Sequence, residues 1–208
     1  MTKLTIYVIA SIIVVITCVI IWQLVAYRAP QPAYQVIKKD QSIEVREYPA
    51  LLVAEVSIQG ERYAAIQSGF RKLADFIFGN NNRHEKIAMT APVLQQPAAQ
   101  NQMKGVSSQQ NNNWIIRFIM PTNFKLNSLP KPGNPDVKFV EIPARRYAVI
   151  VFRGWNSDSN LREHLQLLLN YCRNHHINTT GNPLYAFYNP PWILPFLRRN
   201  EILVELTD

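Results

Sequence analysis

Four histidines (His84, His164, His175, His176) and two cysteines (Cys18, Cys172) are the side chains here best suited to metal or nucleophilic chemistry. Their spacing does not assemble a site. No C-x-x-C, H-E-x-x-H or G-x-S-x-G occurs, and seven glycines supply no Gly-rich phosphate loop. Cys18 lies in an apolar run and Cys172 in a predicted helix, so they do not read as a disulfide pair. His84 falls in the polar loop "NNNRHEK", and His164 flanks the apolar stripe of a predicted helix. His175 and His176 close that helix, where positive charge suits the carbonyl end. This pattern points away from an enzyme.

The elements around these residues fall into two parts. Leu4–Tyr27 is 24 residues without a formal charge, bracketed by Lys3 and Arg28. A membrane span needs about 20 such residues, and no small-residue cleavage site precedes "APQPA". The run therefore predicts an uncleaved anchor over 1–28 and a single-pass membrane protein, side undetermined, with a linker over 29–33. Beyond it, 34–208 suits one domain. The chain carries 22 Lys and Arg against 14 Asp and Glu, a formal net charge of +8. The cations are scattered as singles and pairs, which fits a solvated surface and anionic small ligands, not a nucleic-acid stripe.

Within that domain one stretch repeats another. "EYPALLVAEVSIQG" (47–60) and "EIPARRYAVIVFRG" (141–154) share Glu, Pro, Ala, Ala and Gly at the same spacing, 94 positions apart. Each follows a strand-like run and precedes a helical pattern and two further strand-like runs. Weaker matches pair Ala88 with Ala186, Pro92 with Pro190, Asn113 with Asn200 and Ile115 with Ile202. The expectation is two pseudo-repeats, about 34–120 and 136–208. Apolar stripes at Ile66, Phe70, Leu73 and Ile77, and at Leu161, Leu165, Leu168 and Cys172, predict the two helices. Gly79 predicts the end of the first. The fold class is α+β: duplicated βαββ units forming a distorted antiparallel β-barrel with two flanking helices, preceded by one transmembrane helix. "QPAAQNQMKGVSSQQNNN" reads as a surface loop between two strands.

"KIAMTAPV" is similar to the signature strand of the SOUL/haem-binding protein family. The resemblance continues through "YQVIKKDQSIEVREYPALLVAEV", "GFRKLADFIFGNNN" and "YNPPWILPFLRRNEI", and covers Tyr34–Leu206. It implies the duplicated barrel above and tetrapyrrole binding. A more distant resemblance to bacterial gyrase-inhibitor-like domains implies the alternative, an effector-binding or protein-interaction module with no native haem. In "KIAMTAPV" itself, Ala88 and Ala91 are small enough to let a helix approach the sheet, and Met89 can fill a gap. Pro92 gives up a ladder hydrogen bond and should bend or end a strand. The motif therefore reads as packing, with Met89 as iron ligand the lesser reading.

Some family members carry a histidine after the Arg of "EVR", a proposed iron-ligand position. Glu47 stands there in this chain, so the axial ligand, and any metal-ligating residue, is left unknown. Haem can still bind where apolar surface covers the macrocycle and cations meet its propionates. The chain offers a candidate groove for this. Gln67, Arg71, Ala74 and Phe78 form a stripe on the first helix, and Trp192, Phe196 and Arg198 lie in the Pro-rich closing loop. The functional expectation is a membrane-anchored haem- or tetrapyrrole-binding carrier, buffer or sensor, with no nucleic-acid partner and an unknown protein partner.

Overall fold

The computed structural model describes residues 7–14, 17, 29–98 and 113–207. Of Leu4–Tyr27, only residues 7–14 and 17 are among them, as helix; the rest of the expected anchor lies outside the described residues. Among the described residues no helix is long and apolar enough to cross a membrane. The expected single-pass membrane localisation is corrected accordingly: the described residues contain no helix that would carry it.

Among the described residues nine strands and two longer helices follow one another as β1 (Gln35–Asp40), β2 (Ile43–Tyr48), β3 (Leu51–Gln59), α1 (Arg62–Ile77), β4 (Val93–Pro97), β5 (Asn113–Ile119), β6 (Lys138–Ile142), β7 (Arg145–Phe152), α2 (Asp158–Asn174), β8 (Thr179–Phe187) and β9 (Asn200–Leu206). All strand pairs are antiparallel, in the order β1-β2-β7-β9-β8-β4-β5-β3-β6. β1 and β6 each have one neighbour, so the sheet is open and the expected barrel is not closed. Most of the polar loop between β4 and β5 (99–112) lies outside the described residues.

Outward from the central β8–β4 pair, the order is β9, β7, β2 on one side and β5, β3, β6 on the other. Each half is thus strand–strand–helix–strand–strand in sequence, and each lends its first strand to the other half. Register follows the same rule. Val45 lies opposite Ala148, and Phe139, 94 positions after Val45, lies opposite Ala54, 94 before Ala148. Gly60 and Gly154 both adopt positive φ, 123° and 109°, at the turn from strand to helix, a conformation glycine adopts without a Cβ penalty.

All four of the weaker expected matches shift. Val56 lies opposite Ile116 and Ile150 opposite Ile202, so the counterpart of Ile202 is Ile116, not Ile115. A one-residue slip would turn every side chain of the strand to the other face. Gln95 lies opposite Ile116, Tyr185 opposite Ile202, and Gln95 and Tyr185 oppose each other, which puts the local twofold between them. Pro92 therefore precedes its strand whereas Pro190 follows its own, and the two do not overlie.

Both helices pack on one face. Leu73 and Ile77 of α1 pack on Ala54, Val56, Ile116 and Phe118 of the sheet; Leu161, Leu165 and Leu168 of α2 pack on Ala148, Ile150 and Ile202. The alternate strand residues Tyr48, Val53, Leu94, Ile119, Val149, Leu184 and Leu203 form a third core on the opposite face. The α2 stripe is the expected one, with Ser157 capping the helix through its side chain. In α1 the buried line runs instead through Ala65, Gly69, Leu73, Phe76 and Ile77. Phe70 is 40 % exposed and meets Phe118 in an edge-to-face contact.

Gly69 explains that rotation. A Cβ built there would lie 2.4 Å from Ile116 Cγ1, so the helix approaches the sheet through this glycine. The role expected of Ala88 is corrected: Ala88 is exposed, and residues 84–92 form no strand before β4 begins at Val93. Ala91 is buried, in the helix-free core, and Met89 packs under α1.

Candidate functional site

The Pro-rich closing loop, residues 190–198, folds onto the β7–α2 connection. Gly154 N–H donates to Pro195 O (3.0 Å), Arg153 donates to Phe196 O (2.9 Å), and the Asn200 amide donates to Gly154 O (3.0 Å). Arg198 is buried within the loop, donating to Ile193 O (2.7 Å) and Pro191 O while its guanidinium lies 4.6 Å from the Trp155 ring centre. Burial pulls its pKa down, partly offset by Tyr63 at the first turn of α1. Arg198 thus braces the loop against Trp155 and is not presented to solvent.

Around this brace Tyr63, Trp155, Trp192 and Phe196 are between 56 and 66 % exposed. Arg198 ties Trp155 to the loop that carries Trp192 and Phe196, and Tyr63 is near enough to act on its charge, which gathers four large exposed aromatics into a cluster near one end of α1. Of the expected groove residues, Trp192 and Phe196 belong to it. Gln67 and Arg71 continue along the helix, both exposed, and Arg71 makes no ion pair among the described residues. Ala74 is buried, and Phe78 is exposed beyond the far end of α1, about 22 Å along the axis from Tyr63. The seven residues are therefore split between the two ends of the helix. Sequence reading missed Tyr63 and Trp155; Tyr63 lies four residues before Gln67, on the same stripe, and was legible from that spacing.

None of the histidines lies in the closing loop. His84 is exposed, and His175 and His176 end α2. His164 is half-buried, stacked on Phe152 at 4.0 Å, with Nδ1 2.8 Å from Asn160 O. Among the described residues no three His, Cys, Asp or Glu side chains converge on a metal position.

On the helix-free face, period-2 alternation turns Glu44, Arg46 and Tyr48 of β2 toward Glu201 of β9. Glu201 is 0 % exposed and accepts from Arg46 (2.9 and 3.1 Å), Tyr188 (2.8 Å) and Arg199 (2.6 and 2.9 Å). Burial pushes the Glu44 carboxyl up, but hydrogen bonds from Lys39 and Arg46 outweigh it and leave its pKa lowered. Burial raises the Tyr48 hydroxyl to about 12 and, with Glu201 beside it, raises Tyr188 as well. Residues 29–34 cross this network as a strap. Gln31 and Tyr34 accept from Arg199, Pro30 O accepts from Ala91 N–H, and Arg46 lies over the Tyr34 ring at 4.3 Å.

The same strap forms one wall of a cavity of about 1170 Å³ at the β3–β6 end of the sheet. Its other walls come from the starts and ends of β3, β5 and β6 and from the 120–127 connection.

A family model described as "SOUL heme-binding protein" matches residues 29–205. The mouse protein named heme-binding protein 2 is 30 % identical over 164 residues, covering 77 % of this chain and 76 % of that protein. Its human namesake is 28 % identical over 154 residues, covering 73 % and 68 %. Among solved structures, the crystal structure of the EcmrR C-terminal domain superposes with a TM-score of 0.60 at 14 % identity, covering 84 % of this chain and 98 % of that one. That last likeness is one of fold.

Proposed function

The chain belongs to the SOUL heme-binding protein family, and we propose that it binds haem or a related tetrapyrrole non-covalently, as a carrier, buffer or sensor and not as an enzyme. The observation that carries this reading is the exposed aromatic cluster of Tyr63, Trp155, Trp192 and Phe196 at the start of α1. Flat apolar side chains suit one face of a macrocycle, and burying that area is worth about 25 cal/mol per Å² before ordering costs. Arg153, exposed where β7 meets the closing loop, and Arg71, exposed about 12 Å along α1 from Tyr63, supply cations for the propionates, while Arg198 holds the aromatic frame. Phe78 belongs to this site only for a ligand that extends along the whole helix. These residues fit the group through its apolar face and its carboxylates. The chemistry haem supplies when bound is that of its iron.

The test is a haemin titration of the full-length chain, followed by the Soret band. Trp192→Ala and Arg71→Glu should each weaken binding by about tenfold, roughly 1.4 kcal/mol. Raising the salt should weaken the parent more than Arg71→Glu. His164→Ala, His175→Ala and His176→Ala should leave the titration unchanged. Loss of the Soret shift in one histidine variant, with both surface variants intact, would overturn the surface reading in favour of iron ligation.

A further inference from the structure

The local twofold gives the β3–β6 cavity a counterpart at the other end of the sheet. By the register, Tyr48 of β2 corresponds to Ile142 of β6, and Arg46 to Val140. At the β2 end Tyr48, Arg46, Glu201 and the strap fill the space. At the β6 end the smaller aliphatic chain of Ile142 borders a void of about 1170 Å³. That is ample for a ligand, since small-molecule sites run roughly 300–1,000 Å³.

The walls specify the shape of what would fit. Leu51, Met120 and Ile142 are aliphatic or thioether side chains, five prolines join them, and Phe124 is the one aromatic residue in the lining. Such walls suit a flexible hydrocarbon better than a rigid planar ring. The rim specifies the charge. Thr122, Lys125 and Asn127, all on one connection and all exposed, offer a hydroxyl, an ammonium and an amide. Among the described residues Lys125 is in no ion pair, and the Thr122 and Asn127 side chains make no hydrogen bond. Glu141, on β6 beside Ile142, is the acidic residue of the lining.

We propose that this cavity is a second ligand site, distinct from the aromatic surface, that takes a single-chain aliphatic carboxylate. The hydrocarbon runs along Leu51, Ile142 and the prolines of the strap, and the carboxylate meets Lys125. The site does not depend on the haem reading.

The experiment is equilibrium binding of dansylaminoundecanoate to the full-length chain by fluorescence, with dodecanoate, dodecylamine and haemin as competitors. Dodecanoate should displace the probe, and dodecylamine and haemin should not. Lys125→Glu should weaken the probe about tenfold, roughly the effect of one charge-assisted contact. Leu126→Trp, which puts a large side chain into the mouth from an exposed position, should abolish binding. Unchanged circular dichroism in both variants separates these effects from misfolding. Failure of the probe to bind, or binding unaffected by both substitutions, would overturn the site. Stronger displacement by dodecylamine, lost in Glu141→Gln, would overturn the carboxylate class. Displacement by haemin, with its Soret shift lost in Leu126→Trp, would overturn the claim of two sites.

Discussion

Arg46 and Glu201, 155 positions apart in the chain, are joined by hydrogen bonds of 2.9 and 3.1 Å with neither side chain more than 1 % exposed. The bond reaches across β7, which lies between β2 and β9. Its strength comes from completeness: Glu201 also accepts from Arg199 and Tyr188, and Arg46 also donates to Glu44 and Tyr48. A buried ion pair this well satisfied offsets its own desolvation, but half of it does not.

Arg46→Met should therefore lower the unfolding free energy by about 3–5 kcal/mol, measured by urea denaturation. Arg46→Met combined with Glu201→Met should cost less than the sum of the two single changes, because no uncompensated carboxylate remains at the centre. Additive single and double effects would show that the two side chains act independently.

Burial raises the hydroxyls of Tyr48 and Tyr185 to about 12. An unfolded tyrosine titrates near 10, so between about pH 10 and 12 the unfolded chain gives up protons that the folded chain keeps. Stability from these groups is full below pH 10 and is lost as pH rises through 12, by roughly 2–3 kcal/mol for each. Tyrosinate absorbance from them should appear together with loss of tertiary structure, not before it. Tyr185→Phe should move the alkaline unfolding midpoint upward.

Element order was legible because the apolar periods are clean. Leu161, Leu165, Leu168 and Cys172 fix the face of α2, and the shared Glu, Pro, Ala, Ala and Gly fix how β2–β3 and β6–β7 correspond. The face of α1 was less legible, because Gly69 adds nothing to an apolar stripe although it sits at the point of closest approach. Closure of the sheet depends on whether β1 meets β6, which local pattern does not encode. The network around Glu201 was hidden for another reason: Glu44, Arg46 and Tyr48 show a period of two, but charged residues at that period read as a solvated face unless the partner strand is known. In the candidate site, the exposure of Trp192 and Phe196 goes with their place in a Pro-rich loop, whereas the brace by Arg198 depends on loop geometry.

Two small residues test the corrected account of helix–sheet packing. Gly69→Ala should destabilise by roughly 1–3 kcal/mol, since the added carbon meets Ile116 Cγ1, and Gly69→Ala with Ile116→Ala, which removes that γ carbon, should cost less than the sum of the two single changes. Ala88→Leu should change stability by no more than about 0.5 kcal/mol, because Ala88 faces solvent. Thermal melts of these variants decide the matter, and a large loss for Ala88→Leu would return the packing role to that motif.

The two halves are also clamped at the local twofold. Arg62, the first residue of α1, is buried and donates to Asp158 at the start of α2, to Asn156 O and to Gln95 Oε1 (3.1 Å). Gln95, 0 % exposed and opposite Tyr185, returns a bond from Nε2 to Arg62 O (2.8 Å). Two kinds of contact meet here, and they differ in weight. Asp158 is half-exposed, so its charge is screened by water and its loss should cost under about 1 kcal/mol. Gln95 has no access to water, so removing its donor leaves a buried oxygen unsatisfied, which costs about 1–3 kcal/mol. Arg62→Met should therefore destabilise by roughly 2–4 kcal/mol in urea, counting the freed Asn156 carbonyl as well. Asp158→Asn should be mild, and Arg62→Met with Gln95→Leu should recover part of the loss by removing the orphaned amide. Equal losses for Asp158→Asn and Arg62→Met would mean that the ion pair, not the buried amide, holds the halves together at the axis.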